Sequence, residues 1–456
     1  SLSSMHKTLL RYSPMKFLGM VRYLLLAIVA LLCSSVSAEA QGKSKRDKTF
    51  GLPTELSPSA QVSFLAAQPS SEESYTLYGH AGLRVYDRLQ EIDVTFNYGI
   101  FDFSEDFTLR YLQGRTDYIV LPIATELFLE DYQHRGLIQE IVLTTDSLQR
   151  ARIWSLLLEN IQPENRVYRY NAFRNNCSTR PLDLYLETLT PLRSEKGGAD
   201  SVRFAFASGD DALFRQLFPG VNPSALPPLT WRQAINELEA SSPWLVLGTD
   251  LAMGPELDQP MSIRDRFFIP MQAAALLPLL SVGNEHLPEN AWVRPALTTR
   301  SYGKLQRIEP ASFSLTQPSV VFTLVLILSG GIFVYRRKGK PVPGAIEFVL
   351  YLGAGLAGLL LTFITFFSEH PMVSPNWNLL ALHPGYLLLA LLMPFGAKTQ
   401  RVRYVLHAVC FVALIALPFV GLLSGQKFNS SLSLIAMSLT FLSAGRLIHN
   451  PFRRHG

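Results

Sequence analysis

The residues best suited to chemistry stand in "NAFRNNCSTRPLD", residues 171–183, where Cys177 lies between two asparagines and a Ser-Thr-Arg-Pro turn. A thiol is intrinsically nucleophilic and becomes a catalyst when a base takes its proton. The stretch before it, "RVYRYNAF", reads as extended and aromatic. The stretch after it reads as a helix, in which Pro181 fits only the first turn. Cys177 therefore falls at or just before a helix N-terminus, where unpaired N–H groups and the helix dipole lower a thiol's pKa. The competing reading is a small apolar core filler. The polar neighbours Asn175, Asn176, Ser178, Thr179 and Arg180 count against it.

A thiol needs a base, and four histidines share its side of the chain: His80, His134, His286 and His370. His134 sits in "YQHRG", a helix end where capping is the default role, and His286 lies in the polar loop "NEHLPEN". His80 enters a strand in "LYGHAGLRVYD", with Gly79 and Gly82 leaving room for close approach. It is the best partner for Cys177. The other cysteines are Cys33 in a leader-like segment and Cys410 in an apolar run, so Cys177 has no disulfide partner in the chain.

The elements that must position these residues divide at the membrane. From residue 318 onward, five apolar runs follow one another, from "PSVVFTLVLILSGGIFVY" to "SLSLIAMSLTFLSAG". Each approaches the ~20 residues that cross a ~30 Å hydrocarbon core. Basic clusters follow the first ("RRKGK"), third ("KTQRVR") and fifth runs, while the alternate loops carry only Glu369 and Lys427. By the positive-inside rule, residues 41–317 lie outside the cytoplasmic membrane. The start, "MVRYLLLAIVALLCSSVSAEAQG", has a basic flank, an apolar run and an Ala38-Glu39-Ala40 cleavage pattern. The expected organisation is a signal peptide over 1–40, with further residues ahead of its core, and a Cys-His domain over 41–194. A membrane-proximal region over 195–317, five spans over 318–448 and a basic tail over 449–456 complete it.

Residues 51–317 hold 22 basic and 32 acidic side chains. The net positive charge of the whole chain is thus a signature of topology rather than of nucleic-acid binding. Within this acidic part, short strands and helices alternate. "DVTFNYGIFDF" has strand periodicity, "DSLQRARIWSLLLENIQ" is an amphipathic helix capped by Asp or Ser, and "TWRQ" at Thr230 fits a capping box. "FFIPMQAAALLPLLS" is interrupted by Pro270 and Pro278, and reads as an interfacial or partly buried helix tying this domain to the membrane.

"YGHAGLRVYD", "FNYGIFDF" and "YRYNAFRNNCSTRPLD" together resemble the extracytoplasmic domain of the Lnb-type lipoprotein N-acyltransferases. "GTDLAMGPELDQP", "FFIP" and "HPMVSPNWNLLALHP" are similar to that family's membrane-proximal and multispan parts. The order, histidine before a helix-start cysteine, is also similar to permuted NlpC/papain-like folds. The fold class implied is α+β, a permuted NlpC/papain-like extracytoplasmic domain followed by a transmembrane helical bundle of about five spans.

The resemblance implies that Cys177 takes an acyl chain from a phospholipid as a thioester, with His80 as general base. The chain then passes to the α-amine of a diacylated lipoprotein. Backbone N–H groups at the helix start, with Asn176, would hold the oxyanion. Asn97, Asp102 and Asp183 are candidates for orienting His80. Arg84, Tyr98 and Arg180 are candidates for binding substrate, with structural ion pairing the alternative for the two arginines. His370, Asn376 and Asn378 lie in a loop on the same side as Cys177 and are candidates either for docking substrate or for capping helices. His383, within the next apolar run, is costly to bury and so suggestive. No metal, organic cofactor or nucleic acid is implied. The alternatives from the same residues are a membrane-anchored cysteine hydrolase, acting on peptide or peptidoglycan, and a non-catalytic sensor with Cys177 buried.

Overall fold

The computed structural model describes residues 50–448 except 102–105, 190–201, 208, 210, 285–287 and 289–290, together with 451–452. The leader with Cys33, Asp102 and His286 lie outside the described residues. The first part of the chain runs β1 (Gln61–Ala67), β2 (His80–Asp87), β3 (Ile92–Ile100), α1 (Phe107–Leu112), β4 (Asp117–Ala124), α2 (Thr125–Gln133), β5 (Ile138–Leu143), α3 (Ser147–Asn160), β6 (Val167–Arg169) and α4 (Thr179–Leu189). There follow β7 (Val202–Phe206), α5 (Ala212–Leu217), α6 (Trp231–Leu238), α7 (Pro243–Ala252), α8 (Pro270–Leu276), β8 (Leu280–Asn284) and β9 (Ala296–Tyr302). Seven strands form one antiparallel sheet in the order β6-β4-β3-β2-β1-β5-β9, and β7 pairs with β8.

Strand alternation divides the side chains between the two faces. Leu83 and Val85 stand opposite Phe96 and Val94 and join a large core with Trp154 of α3 and Leu182 and Tyr185 of α4. His80 and Gly82 take the other face, which α2 covers with Phe128. The expected caps form: Asp146 and Gln149 close a capping box on α3, and Thr230 and Gln233 close one on α6. The segment around Pro270 is neither a span nor an interfacial tie. Every residue of α8 is buried, and the helix packs on β1 in the core of the sheet domain. Its apolar run serves this core, and Pro270 simply starts the helix.

The C-terminal part runs α9 (Pro318–Arg337), α10 (Gly344–Phe367), α11 (Gly385–Leu392), α12 (Gln400–Ser424) and α13 (Ser430–Leu447). Four helical stretches here are long and apolar enough to cross a membrane. One of them, Trp377–Ser424, has 48 residues, too many for a single crossing. It turns back at Gly396 (φ 54°, ψ −126°). The Trp377 N–H at its start donates to Gln426 Oε1 just beyond its end, at 3.0 Å. The five apolar runs of the sequence thus appear as four apolar stretches, one of them doubled on itself. At the basic ends, Arg336 and Arg446 both bind Glu347, which is fully buried.

The two parts are clamped together by the loops opposite those basic ends. Asn376 donates to the carbonyls of Leu251 and Ala252, and Asn378 to those of Asp250 and Leu251, all at the end of α7. These asparagines therefore join the two parts of the chain. Asn378 is 1% exposed, so Asn378→Ala strands buried carbonyls and is expected to cost about 1–3 kcal/mol. Thermal unfolding of the detergent-solubilised variant measures it.

Candidate active site

His80 opens β2 directly after Gly79, whose backbone (φ 73°) passes so close to β1 that a Cβ would stand 2.6 Å from the Ala67 carbonyl oxygen. The register sets Gly82 opposite Asn97, so His80 and Asn97 are diagonal neighbours on one face. His80 Nε2 lies 2.6 Å from Asn97 Oδ1. An amide oxygen only accepts, so Nε2 carries the hydrogen and Nδ1 keeps its lone pair. The ring stacks on Tyr132 at 4.9 Å and 13° and against Phe128 at 6.0 Å. Gly82 makes that packing possible, because a Cβ there would meet Phe128 at 3.2 Å and Thr95 at 2.5 Å.

Cys177 sits in the first turn leading into α4. Asn176 acts as the cap: its Oδ1 accepts from the N–H groups of Ser178 and Thr179, and Thr179 Oγ1 accepts from the Asn176 N–H. The Asn176 amide donates to the carbonyls of Ala172 and Phe268. Both hydrogens are thus engaged, and Asn176 shapes the turn rather than offering a donor to an oxyanion. The donors that reach the sulfur are backbone N–H groups of Ala81, Cys177 and Ser178.

The strand and the turn meet at Gly99. β3 bulges between Asn97 and Ile100, and Gly99 takes φ 89°. A Cβ placed on it would lie 3.3 Å from Cys177 Cβ and 3.8 Å from His80 Cε1. Gly99 thus borders both Cys177 and the His80 ring, and the missing Cβ leaves room for both. Tyr118 and Tyr168 share a core cluster with Cys177, and Tyr170 packs against it.

The electrostatics differ from the helix-start expectation. Burial pushes the Cys177 thiol up to about 11, against the pull of the three N–H groups. The side chain is only 8% exposed, and desolvation of a thiolate outweighs the partial charges of one turn. Burial likewise lowers His80 to about 4, with the Asn97 hydrogen bond opposing and Arg135 adding to the shift. At neutral pH the pair is thiol and neutral imidazole, suited to moving a proton during attack rather than to a standing ion pair.

The other candidates have different partners. Asp183 is bound by Arg264. Arg84 pairs with Asp93 and Glu140. Tyr98 is fully buried, and its hydroxyl accepts from Asn160 at 3.0 Å. Arg180 lies over the Tyr168 ring at 4.3 Å and donates to Asn175. His370 Nε2 is 2.5 Å from the Tyr111 carbonyl oxygen. His383 packs against Tyr386 at 4.7 Å. Sequence reading missed Gly99, Tyr132 and the Ala81 N–H. Of these only Gly99 left a trace, as a glycine interrupting an alternating strand.

An α+β sheet domain seated on apolar membrane-crossing helices defines a multi-pass membrane protein with a periplasmic domain. Residues 55–208 match the Lnb N-terminal periplasmic domain and residues 310–451 the Lnb transmembrane domain. The chain belongs to the Lnb family, whose domains indicate an acyltransferase of the lipoprotein N-acyltransferase type. No curated protein and no solved structure matches it.

Proposed function

We propose that the chain moves a fatty acyl chain from a phospholipid, through a Cys177 thioester, to the α-amine of the diacylglyceryl-cysteine of bacterial lipoproteins. It would do so in the inner membrane, with the sheet domain in the periplasm. The observation that carries this reading is the meeting of Cys177, His80 and Asn97 at Gly99, in a domain clamped to the loops of the membrane helices. That clamp favours a lipidic substrate over a cell-wall peptide.

His80 Nδ1 takes the thiol proton as sulfur attacks the donor ester carbon, and the oxyanion is held by backbone N–H groups of the Cys177 turn and Ala81. The C–O bond then breaks, and the lyso-lipid oxygen leaves with the proton from His80. In the second half, the lipoprotein amine attacks the thioester, His80 accepts its proton, and the sulfur departs with that proton as thiol. The product is an amide. Asn97 keeps Nε2 protonated throughout, so that Nδ1 remains the working nitrogen.

Intact mass of the purified protein after incubation with phospholipid tests the reading. A gain of one acyl chain that neutral hydroxylamine removes supports it, and absence of any adduct on the folded protein overturns it. The pH dependence supplies a second test. With His80 lowered to about 4, its neutral form persists above that pH, so thioester formation should lose rate only as pH falls through about 4. In Asn97→Asp a carboxylate faces Nε2 and favours the imidazolium, moving the acid limb up by about 1–3 units. Single-turnover acylation across pH reads this, and an unmoved limb removes His80 as the base.

A further inference from the structure

One apolar element of the sheet domain stands exposed beside the loop that follows α10. Helix α1 carries Phe107, Leu109, Tyr111 and Leu112 in six residues, and none of its residues is buried. Leu109 is 54% exposed and Tyr111 51%. So short a helix is not stable in water on its own, and its surroundings show what lies against it. The turn after α1 is bound to the loop that follows α10: Glu369 N–H donates to the Gln113 carbonyl at 2.7 Å, and His370 Nε2 meets the Tyr111 carbonyl. Arg115 and Arg169 both hold Glu369, at 2.7 and 2.8 Å. At Gly114 a Cβ would stand 2.4 Å from the His370 nitrogen, so the contact is close. α10 ends in Phe366 and Phe367, 68% and 66% exposed, on a helix apolar enough to span the bilayer. α1 is therefore joined to the end of a helix apolar enough to cross the hydrocarbon, with Leu109 half exposed there.

From α1 a row of rings leads inward. Tyr111 and Phe107 are 6.1 Å apart, Phe107 and Phe101 5.6 Å, and Phe101 and Tyr118 5.1 Å. Tyr118 and Cys177 belong to the same core cluster, against which Phe101 packs. Ring faces offer methylene chains dispersion contacts without a hydrogen-bond demand.

We propose that α1 lies in the outer leaflet of the bilayer, and that the ring row from Tyr111 to Tyr118 is the route by which the acyl chain of a membrane phospholipid reaches Cys177. This rests on the acyltransferase reading for its substrate, though not for the placement of α1. The experiment uses the full chain reconstituted in mixed phosphatidylethanolamine–phosphatidylglycerol vesicles. Leu109→Glu is expected to slow thioester formation from vesicle phospholipid by about tenfold or more, the effect of withdrawing one leucine from lipid. Thioester formation from p-nitrophenyl acetate, which reaches the thiol from water, should stay within about twofold of the unsubstituted protein. Equal rates on vesicles, or equal losses with both esters, overturn the proposal. Separately, Leu109→Trp should add fluorescence that brominated acyl chains quench, judged against the unsubstituted protein. An added indole that bromine leaves untouched places α1 in water and overturns the proposal independently. If the unsubstituted protein forms no thioester with either ester, the acyltransferase reading fails while the quenching result still decides where α1 lies.

Discussion

Cys177→Ala is expected to end acyl transfer, with a loss of at least ~10⁴-fold in kcat/KM and no hydroxylamine-labile adduct. The effect is large because the other described cysteine, Cys410, is buried among the membrane helices. His80 and the backbone donors would remain, but they would have nothing to activate. The fold should survive. The side chain is small, and trimming it costs about 1 kcal/mol, which thermal unfolding of the same preparations will show. Cys177→Ser sharpens the test. A hydroxyl in the same place is a poorer nucleophile, and any adduct it forms is an oxyester that neutral hydroxylamine leaves intact and an amine attacks slowly. Retention of amine acylation by the alanine variant would remove Cys177 from the chemistry.

Gly99→Ala should lower activity by about 10²-fold while leaving the surrounding sheet assembled. Two costs combine. Left-handed backbone at φ 89° disfavours any residue with a Cβ, by about 1–2 kcal/mol. The new methyl would also crowd both side chains, at 3.3 Å from Cys177 Cβ and 3.8 Å from His80 Cε1. Contact at 3.3 Å forces a shift of a few tenths of an ångström, and proton transfer is steeply sensitive to separation. The expected signature is a fall in kcat for thioester formation with little change in KM. Wild-type kcat in this variant would mean that Cys177 and His80 do not act on one another.

Several features were legible because they depend on short-range pattern. The apolar runs and the basic loops between them could be counted, and the capping boxes at Asp146 and Thr230 follow from neighbouring residues alone. The family resemblance rested on short segments around His80 and Cys177. What depended on register or burial was not legible. Asn97, Asp102 and Asp183 were equivalent on paper, and only the pairing of Gly82 with Asn97 shows which carbonyl oxygen reaches the imidazole. The thiol's pKa was argued from the turn it occupies, whereas the packing around it sets the sign. The run at Pro270 was apolar enough for a membrane boundary, and its role as core followed only from its place against β1.

The placement of α8 and β9 bears on how the chain is made. β9 closes the sheet on the β5 edge, and α8 fills the core beneath β1, yet both come after His80 and Cys177 in the chain. During export, His80 and Cys177 emerge while the β5 edge and the apolar floor of the sheet are still bare. Such an edge invites pairing with other chains. Completion waits for Tyr302, shortly before the first C-terminal span begins at Pro318. Assembly of the sheet domain and anchoring in the membrane are thereby nearly simultaneous, so that a nascent chain released early would carry Cys177 in an unfinished fold.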